Sequence, residues 1–150
     1  MNKLMILLLF VANATIAQTS ADNTNWFTDF EKAKAFAAEN DGQILMVFSG
    51  SDWCKPCIKF KKDILVSSIF SNYANEKIAI LYLDFPAKRK NKLSKEQTKH
   101  NEALAEKYNQ QGFFPNVVLM DSQAKVLATP QFKGQTPSTY VAQLNEIITE

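Results

Sequence analysis

Cysteine and histidine are scarce in this chain. Its 150 residues hold two Cys and one His, too few to build a four-ligand zinc site from those side chains alone. Two Cys are also too few for a small scaffold stapled by several disulfides. An excess of one charge is missing as well: 17 Lys and Arg stand against 15 Asp and Glu, a net charge of +2. That balance excludes a dedicated nucleic-acid binder, which carries a strong basic surplus. No internal repeat and no low-complexity linker marks a second domain, and 150 residues favour one. What is present is an ordinary globular mixture, 46% hydrophobic and 21% charged, with eleven Phe, four Tyr and two Trp to fill a core. A disordered, collagen-like or rod-like chain is thereby excluded.

The one long apolar run, Leu4 to Ala12, follows a short positive start at Lys3. As a helix it would reach about 14 Å, against roughly 30 Å of hydrocarbon, short for a membrane span, which favours a cleaved leader over the alternative of an uncleaved membrane anchor. Thr15 and Ala17 then stand at the −3 and −1 places of a cleavage site. Residues 1–17 therefore read as a secretory signal peptide, 18–25 as a polar leader and 26–150 as the folded domain. Export places the two Cys where disulfides form and persist.

Within the domain, Thr28-Asp29-Phe30-Glu31 reads as a capping box with Thr28 at the N-cap, and Asp41-Gly42 stops the helix it opens. Gln43 to Ser49 and Lys77 to Asp84 are short continuous apolar runs, expected as buried strands. A helix starts near Cys54 and a further helical stretch covers Ser67 to Asn75. Ser94-x-x-Gln97 opens a polar helix to about Tyr108. Asn116 to Asp121 and Lys125 to Thr129 form a strand pair across a turn, and Thr136-Pro137 starts the last helix. The expected architecture is α/β, with a central mixed sheet of about four strands flanked by helices.

The chemistry concentrates at Cys54-Lys55-Pro56-Cys57. Residues i and i+3 share a helix face, about 5–6 Å apart at Cβ, so a small adjustment closes a disulfide. Cys54 falls at the helix N-terminus, where unpaired N–H groups and the dipole favour an anion by up to about 2 kcal/mol. Its thiol pKa is expected to fall, and Lys55 adds a cation of the right sign. Pro56 sits in the first turn, where its missing N–H costs little. Cys54 is the expected attacking sulfur, and Cys57, one turn inside, the resolving one. A structural disulfide, half of a metal site and an idle pair on a binding module compete with this reading. His100, in a polar helix, reads as a solvated surface residue. No cofactor and no metal are called for.

Leu45 to Cys57, with Trp53 before the first Cys and Pro56 before the second, resembles the active-site strand and helix start of the thioredoxin superfamily. Gly112-Phe113-Phe114-Pro115-Asn116, leading into a strand, is similar to its second signature. The wider pattern resembles exported bacterial thioredoxin-like proteins. The resemblance implies a thioredoxin-like fold and a cis Phe114–Pro115 bond facing the Cys pair. It also implies a thiol–disulfide oxidoreductase acting as a reductant on disulfide-containing proteins, with disulfide isomerase and non-catalytic binding module as the alternatives. Trp53, Phe113 and Phe114 would form an apolar rim around Cys54, with plain core packing as the alternative for Phe113 and Phe114, and Trp53, Phe114 and Pro115 would bind substrate. A soluble, exported or periplasmic monomer of this kind needs a membrane electron donor. Two departures stand out. Where many thioredoxins bury an Asp beneath the second Cys, this chain has Val47 or Phe48. The loop over 86–95 carries Lys88, Arg89, Lys90, Lys92 and Lys95, and reads as a solvated surface or as a docking surface for an acidic partner. Asp52, beside the motif, is expected to be exposed.

Overall fold

The computed structural model describes residues 25–75 and 77–150. The signal segment 1–17 and the leader up to residue 24 lie outside the described residues. Strands β1 (Trp26–Phe27), β2 (Gln43–Ser49), β3 (Ile78–Asp84), β4 (Asn116–Asp121) and β5 (Val126–Ala128) form one sheet in the order β1-β3-β2-β4-β5. β2 runs parallel to β3 and antiparallel to β4, and β1 runs parallel to β3. The helices are α1 (Phe30–Glu39), α2 (Lys55–Phe60), α3 (Ser68–Ala74), α4 (Lys95–Tyr108) and α5 (Pro137–Thr149). A π-helical turn, Lys61–Leu65, continues α2, and a 3-10 turn, Arg89–Asn91, lies in the basic loop.

The continuous apolar runs have the reason anticipated for them: both sheet faces are covered. Leu45, Val47, Ile78, Ile80, Val117 and Leu119 face one way, onto Phe60, Ile64, Phe70, Tyr140 and Leu144. Ile44, Met46, Phe48, Leu81, Leu83, Val118 and Met120 face the other, where Ala33 and Ala37 let α1 approach closely and α4 packs through Leu104 and Tyr108. β2 lies in the middle, so its C-terminal end is held from both faces.

The fifth strand is β1, whose two residues are too short to show a period. Asn25, assigned from sequence to the loose leader, is instead buried and anchors it. Its side-chain amide donates to the Ala74 and Ile78 carbonyls at 3.2 and 3.0 Å, and its carbonyl accepts the Ile80 N–H at 2.8 Å. The N-cap of α1 is Asp29, not Thr28: the carboxylate accepts the Lys32 N–H at 2.9 Å. Thr28 turns its carbonyl to the Gln97 amide at 2.9 Å instead, which stitches α1 to α4. The Ser94 cap forms, with Ser94 Oγ accepting the Gln97 N–H at 3.1 Å. His100 is not solvated. It is half-buried, and its Nε2 accepts the Phe30 N–H at 3.2 Å, a second acceptor at the head of α1. This contact arises only because α1 and α4 pack side by side, which the polarity of α4 conceals. Asp41 and Gly42 end α1 as expected. Asp41 takes a left-handed φ of 47°, and a Cβ on Gly42 would lie 1.9 Å from the Lys77 carbonyl oxygen.

Tyr140 is fully buried in α5, and its hydroxyl donates to the Pro130 carbonyl at 2.8 Å. Tyr140→Phe should leave that carbonyl unpaired and lower stability by about 1–3 kcal/mol, read as a lower urea midpoint at unchanged slope. Burial also pushes the Tyr140 pKa well above the ordinary tyrosine value. The unfolded chain therefore ionises Tyr140 first, and stability falls as pH rises through the ordinary tyrosine range. In the variant that alkaline decline should be shallower.

Candidate active site

β2 ends at Ser49, and the chain turns through Gly50–Trp53 into α2. The Gly50 carbonyl accepts the Cys54 N–H at 3.0 Å, so the turn closes directly onto the helix head. Cys54 is the N-cap of α2 in extended conformation, and its Sγ accepts the Cys57 N–H at 3.2 Å. A sulfur does here what a Ser or Asp oxygen does at other helix starts. Cys54 and Cys57 are joined as a disulfide with Cα atoms 5.2 Å apart. Cys57 is the deeper of the two, 1% exposed against 4% for Cys54. Lys55 and Pro56 lie on the exposed side of the first turn. The sequence-predicted pair is thus assembled at one helix end.

Trp53 is half-exposed beside the pair. Its indole N–H donates to the Phe85 carbonyl at 2.7 Å, and its ring meets Phe114 edge-on at 5.3 Å. Phe114 also meets Phe85 edge-on at 5.4 Å. Edge-on contact sets the positive rim of one ring against the negative face of the next. Gly50 is required beneath them: a Cβ there would sit 2.3 Å from the Trp53 ring. Phe85, the residue after β3, completes this aromatic group. Phe113 stands apart from it, 61% exposed. Its backbone is gripped on both sides by Asn109, whose amide donates to the Phe113 carbonyl at 2.9 Å and whose carbonyl oxygen accepts the Phe113 N–H at 3.1 Å. The Phe114–Pro115 peptide bond is cis. Asn116, the next residue, donates to the Tyr108 carbonyl and accepts from Gln131. Sequence offered no signal for Asn109 beyond its place at the end of a helix.

Two carboxylates fasten the turn to the segment after β3. Asp84 accepts the Ser51 N–H at 2.9 Å and the Ser51 hydroxyl at 2.6 Å. Asp52, expected to be exposed, is only partly so, and it is fully engaged. It accepts the Ala87 and Lys88 N–H groups at 2.8 and 3.0 Å and the Asn91 amide at 2.8 Å. The Ala87 N–H, foremost among these donors, holds its carboxyl below the usual carboxylate range. Of the two residues proposed to lie beneath Cys57, Val47 shares the sheet face covered by α2, and Phe48 faces α1 and α4. At the end of β2 lies Ser49, whose hydroxyl pairs with that of Tyr82 at 2.6 Å. Burial raises the Tyr82 pKa. Among the described residues no cluster of three His, Cys, Asp or Glu is arranged to hold a metal ion.

A parallel–antiparallel sheet with a Cys-x-x-Cys disulfide capping the helix after its central strand defines a thiol–disulfide oxidoreductase. The chain belongs to the thioredoxin-like family, whose domain profile matches residues 30–147. It is 32% identical over 129 residues to the disulfide bond reductase DsbH of Chlamydia pneumoniae, covering 86% of this chain and 75% of that protein. The solved structure of a DsbH oxidoreductase superposes with a TM-score of 0.76 at 30% identity, covering 85% of this chain and 86% of that one. A thioredoxin from Thermus thermophilus shares the fold alone, with a TM-score of 0.61 at 14% identity over 85% of this chain and 88% of that one.

Asp52→Ala should free the Ala87 and Lys88 amides, raising their hydrogen-exchange rates about tenfold while those of β2 stay unchanged. Because the folded Asp52 carboxyl titrates below its unfolded value, the clasp is complete above the ordinary carboxylate range and is lost as pH falls through the depressed value. The wild-type loop should therefore approach the variant's exchange rates in acid.

Proposed function

We propose that the protein is an exported reductant of protein disulfides, with Cys54 as nucleophile and Cys57 as resolving thiol. The observation that carries this reading is the Cys57 N–H aimed at Cys54 Sγ at the head of α2. The same donor that touches the sulfur in the disulfide stabilises a thiolate there once the pair is reduced. In the reduced enzyme, the Cys54 thiolate attacks one sulfur of a substrate disulfide, and the other substrate sulfur leaves and takes up a proton. Cys57 then loses its proton and attacks Cys54 Sγ. The second substrate thiolate departs, and the enzyme is left with the Cys54–Cys57 disulfide. Two electrons have passed from the enzyme dithiol to the substrate. An external dithiol must restore the pair; in an exported protein, a membrane electron donor fits that need. That the Chlamydia pneumoniae relative is named a disulfide bond reductase supports the same direction. The apolar start of the chain supports export. Among the described residues, no helix is long and apolar enough to cross a membrane.

Trp53, Phe114 and Pro115 form the substrate-facing wall in this reading. An extended substrate segment would lie along the backbone of residue 114, as in strand-addition recognition. Lys55 and Pro56 contribute charge and a preset φ to the first turn. The protein acts as a monomer.

Insulin reduction with dithiothreitol should lose at least about a hundredfold in Cys54→Ala, while Cys57→Ala should accumulate a mixed disulfide through Cys54. Equal rates in wild type and Cys54→Ala would refute the reading. Faster recovery of scrambled ribonuclease than of insulin thiols would reassign the enzyme as an isomerase.

A further inference from the structure

The densest charge of the described structure takes no part in the thiol chemistry. Between Pro86 and Lys95 the chain carries five cations and no carboxylate, while the whole chain nets only +2. The remainder is therefore net acidic, and five of the 17 cations fall within these ten residues. Lys88, Arg89, Lys90 and Lys92 are exposed. The ion pairs found among the described residues, Lys34–Glu31 and Lys59–Asp63, lie elsewhere, and of the loop cations Lys88 contributes to the lowered pKa of Asp52.

Under the loop a cavity of about 340 Å³ opens between it and the first turns of α4. Phe85, Pro86 and Leu93 supply apolar wall, and Lys88, Arg89 and Lys92 supply its cationic rim. Two carboxylates also border it. Asp84 is occupied by Ser51 and by the Phe85 N–H; Glu102 is the other, outnumbered by the three cations of the same lining. The cavity is tied to the thiol site at two points. The Asp52 carboxylate holds the Ala87 and Lys88 backbone, and the neighbouring Trp53 indole is bonded to the carbonyl of Phe85, a wall residue. The basic cavity thus begins where the aromatic rim of the Cys pair ends.

We propose that this cavity docks an acidic segment of the protein whose disulfide the Cys54–Cys57 pair reduces, so that Lys88, Arg89 and Lys92 select the substrate. The proposal rests on the reductase reading. A concave site with apolar wall and cationic rim fits a side chain flanked by Asp or Glu, and fits a flat anionic bilayer poorly. Clustered charge beside a reactive centre acts mainly on encounter rate and partner choice, and it weakens with salt.

The test uses two short peptides with one internal disulfide, flanked by Glu in one and by Gln in the other. At low salt, kcat/KM should favour the Glu peptide by about tenfold or more, and 0.5 M NaCl should erase most of that preference. In the triple variant Lys88→Ser, Arg89→Ser, Lys92→Ser the ratio of the two values should fall toward one. Equal kcat/KM for both peptides, or a preference that survives in the triple variant, overturns the proposal. If neither peptide is reduced, the reductase reading has failed, and binding decides the docking question separately. A Glu-flanked peptide with Ser in place of both Cys should shift the amide resonances of Ala87, Lys88 and Asn91; no shift overturns the docking site. Tighter binding to phosphatidylglycerol vesicles than to that peptide would also overturn it, in favour of a membrane surface.

Discussion

One backbone amide, that of Cys57, points at one sulfur, that of Cys54, and the architecture around the site serves to hold that line. The donor is one of those left over at every helix start. The acceptor stands in the N-cap position because the chain leaves β2 through a turn closed by the Gly50 carbonyl. β2 itself cannot shift, since β3 and β4 pair along its length and both of its faces are packed. The geometry of a single hydrogen bond to sulfur is thus referred back, step by step, to the middle of the sheet.

Around that line, three loops from distant parts of the chain are joined by short polar contacts. Asp84 and Asp52 clasp the turn before α2 to the segment after β3. Trp53 adds an indole hydrogen bond to the same segment and lays its ring on Phe114 from the loop before β4. The hydrogen bonds to these carboxylates come from backbone N–H, amide and hydroxyl donors. Such bonds are directional and suit a site whose reacting atom must be placed to within a fraction of an ångström.

How much of this could be read from residues alone depended on distance along the chain. β2, β3 and β4 were legible because buried strands read as unbroken apolar runs. The Cys54–Cys57 pair was legible because helix spacing is a local rule. The α1 cap differs by one residue from the expected Thr28 because Thr28 and Asp29 are both good caps; the Asp29 carboxylate takes the Lys32 N–H, while the Thr28 carbonyl is held by Gln97, far away in sequence. His100 and Asp52 were misjudged for the same reason: each is polar, and each is occupied by a backbone that only tertiary packing delivers. β1 escaped notice because two residues have no period, and it exists through Asn25 and the edge of β3. Phe85 and Asn109 carry no local signal of the parts they play.

The grip of Asn109 on Phe113 has a thermodynamic corollary. Both main-chain groups of that residue are already committed while its ring stands in solvent, so its backbone freedom was surrendered when the domain folded. Any molecule that lands on the ring finds a scaffold settled in advance, and ordering at contact is confined to side chains and to the newcomer itself. Association at this loop is thereby spared a backbone entropy of about 1–2 kcal/mol per residue held.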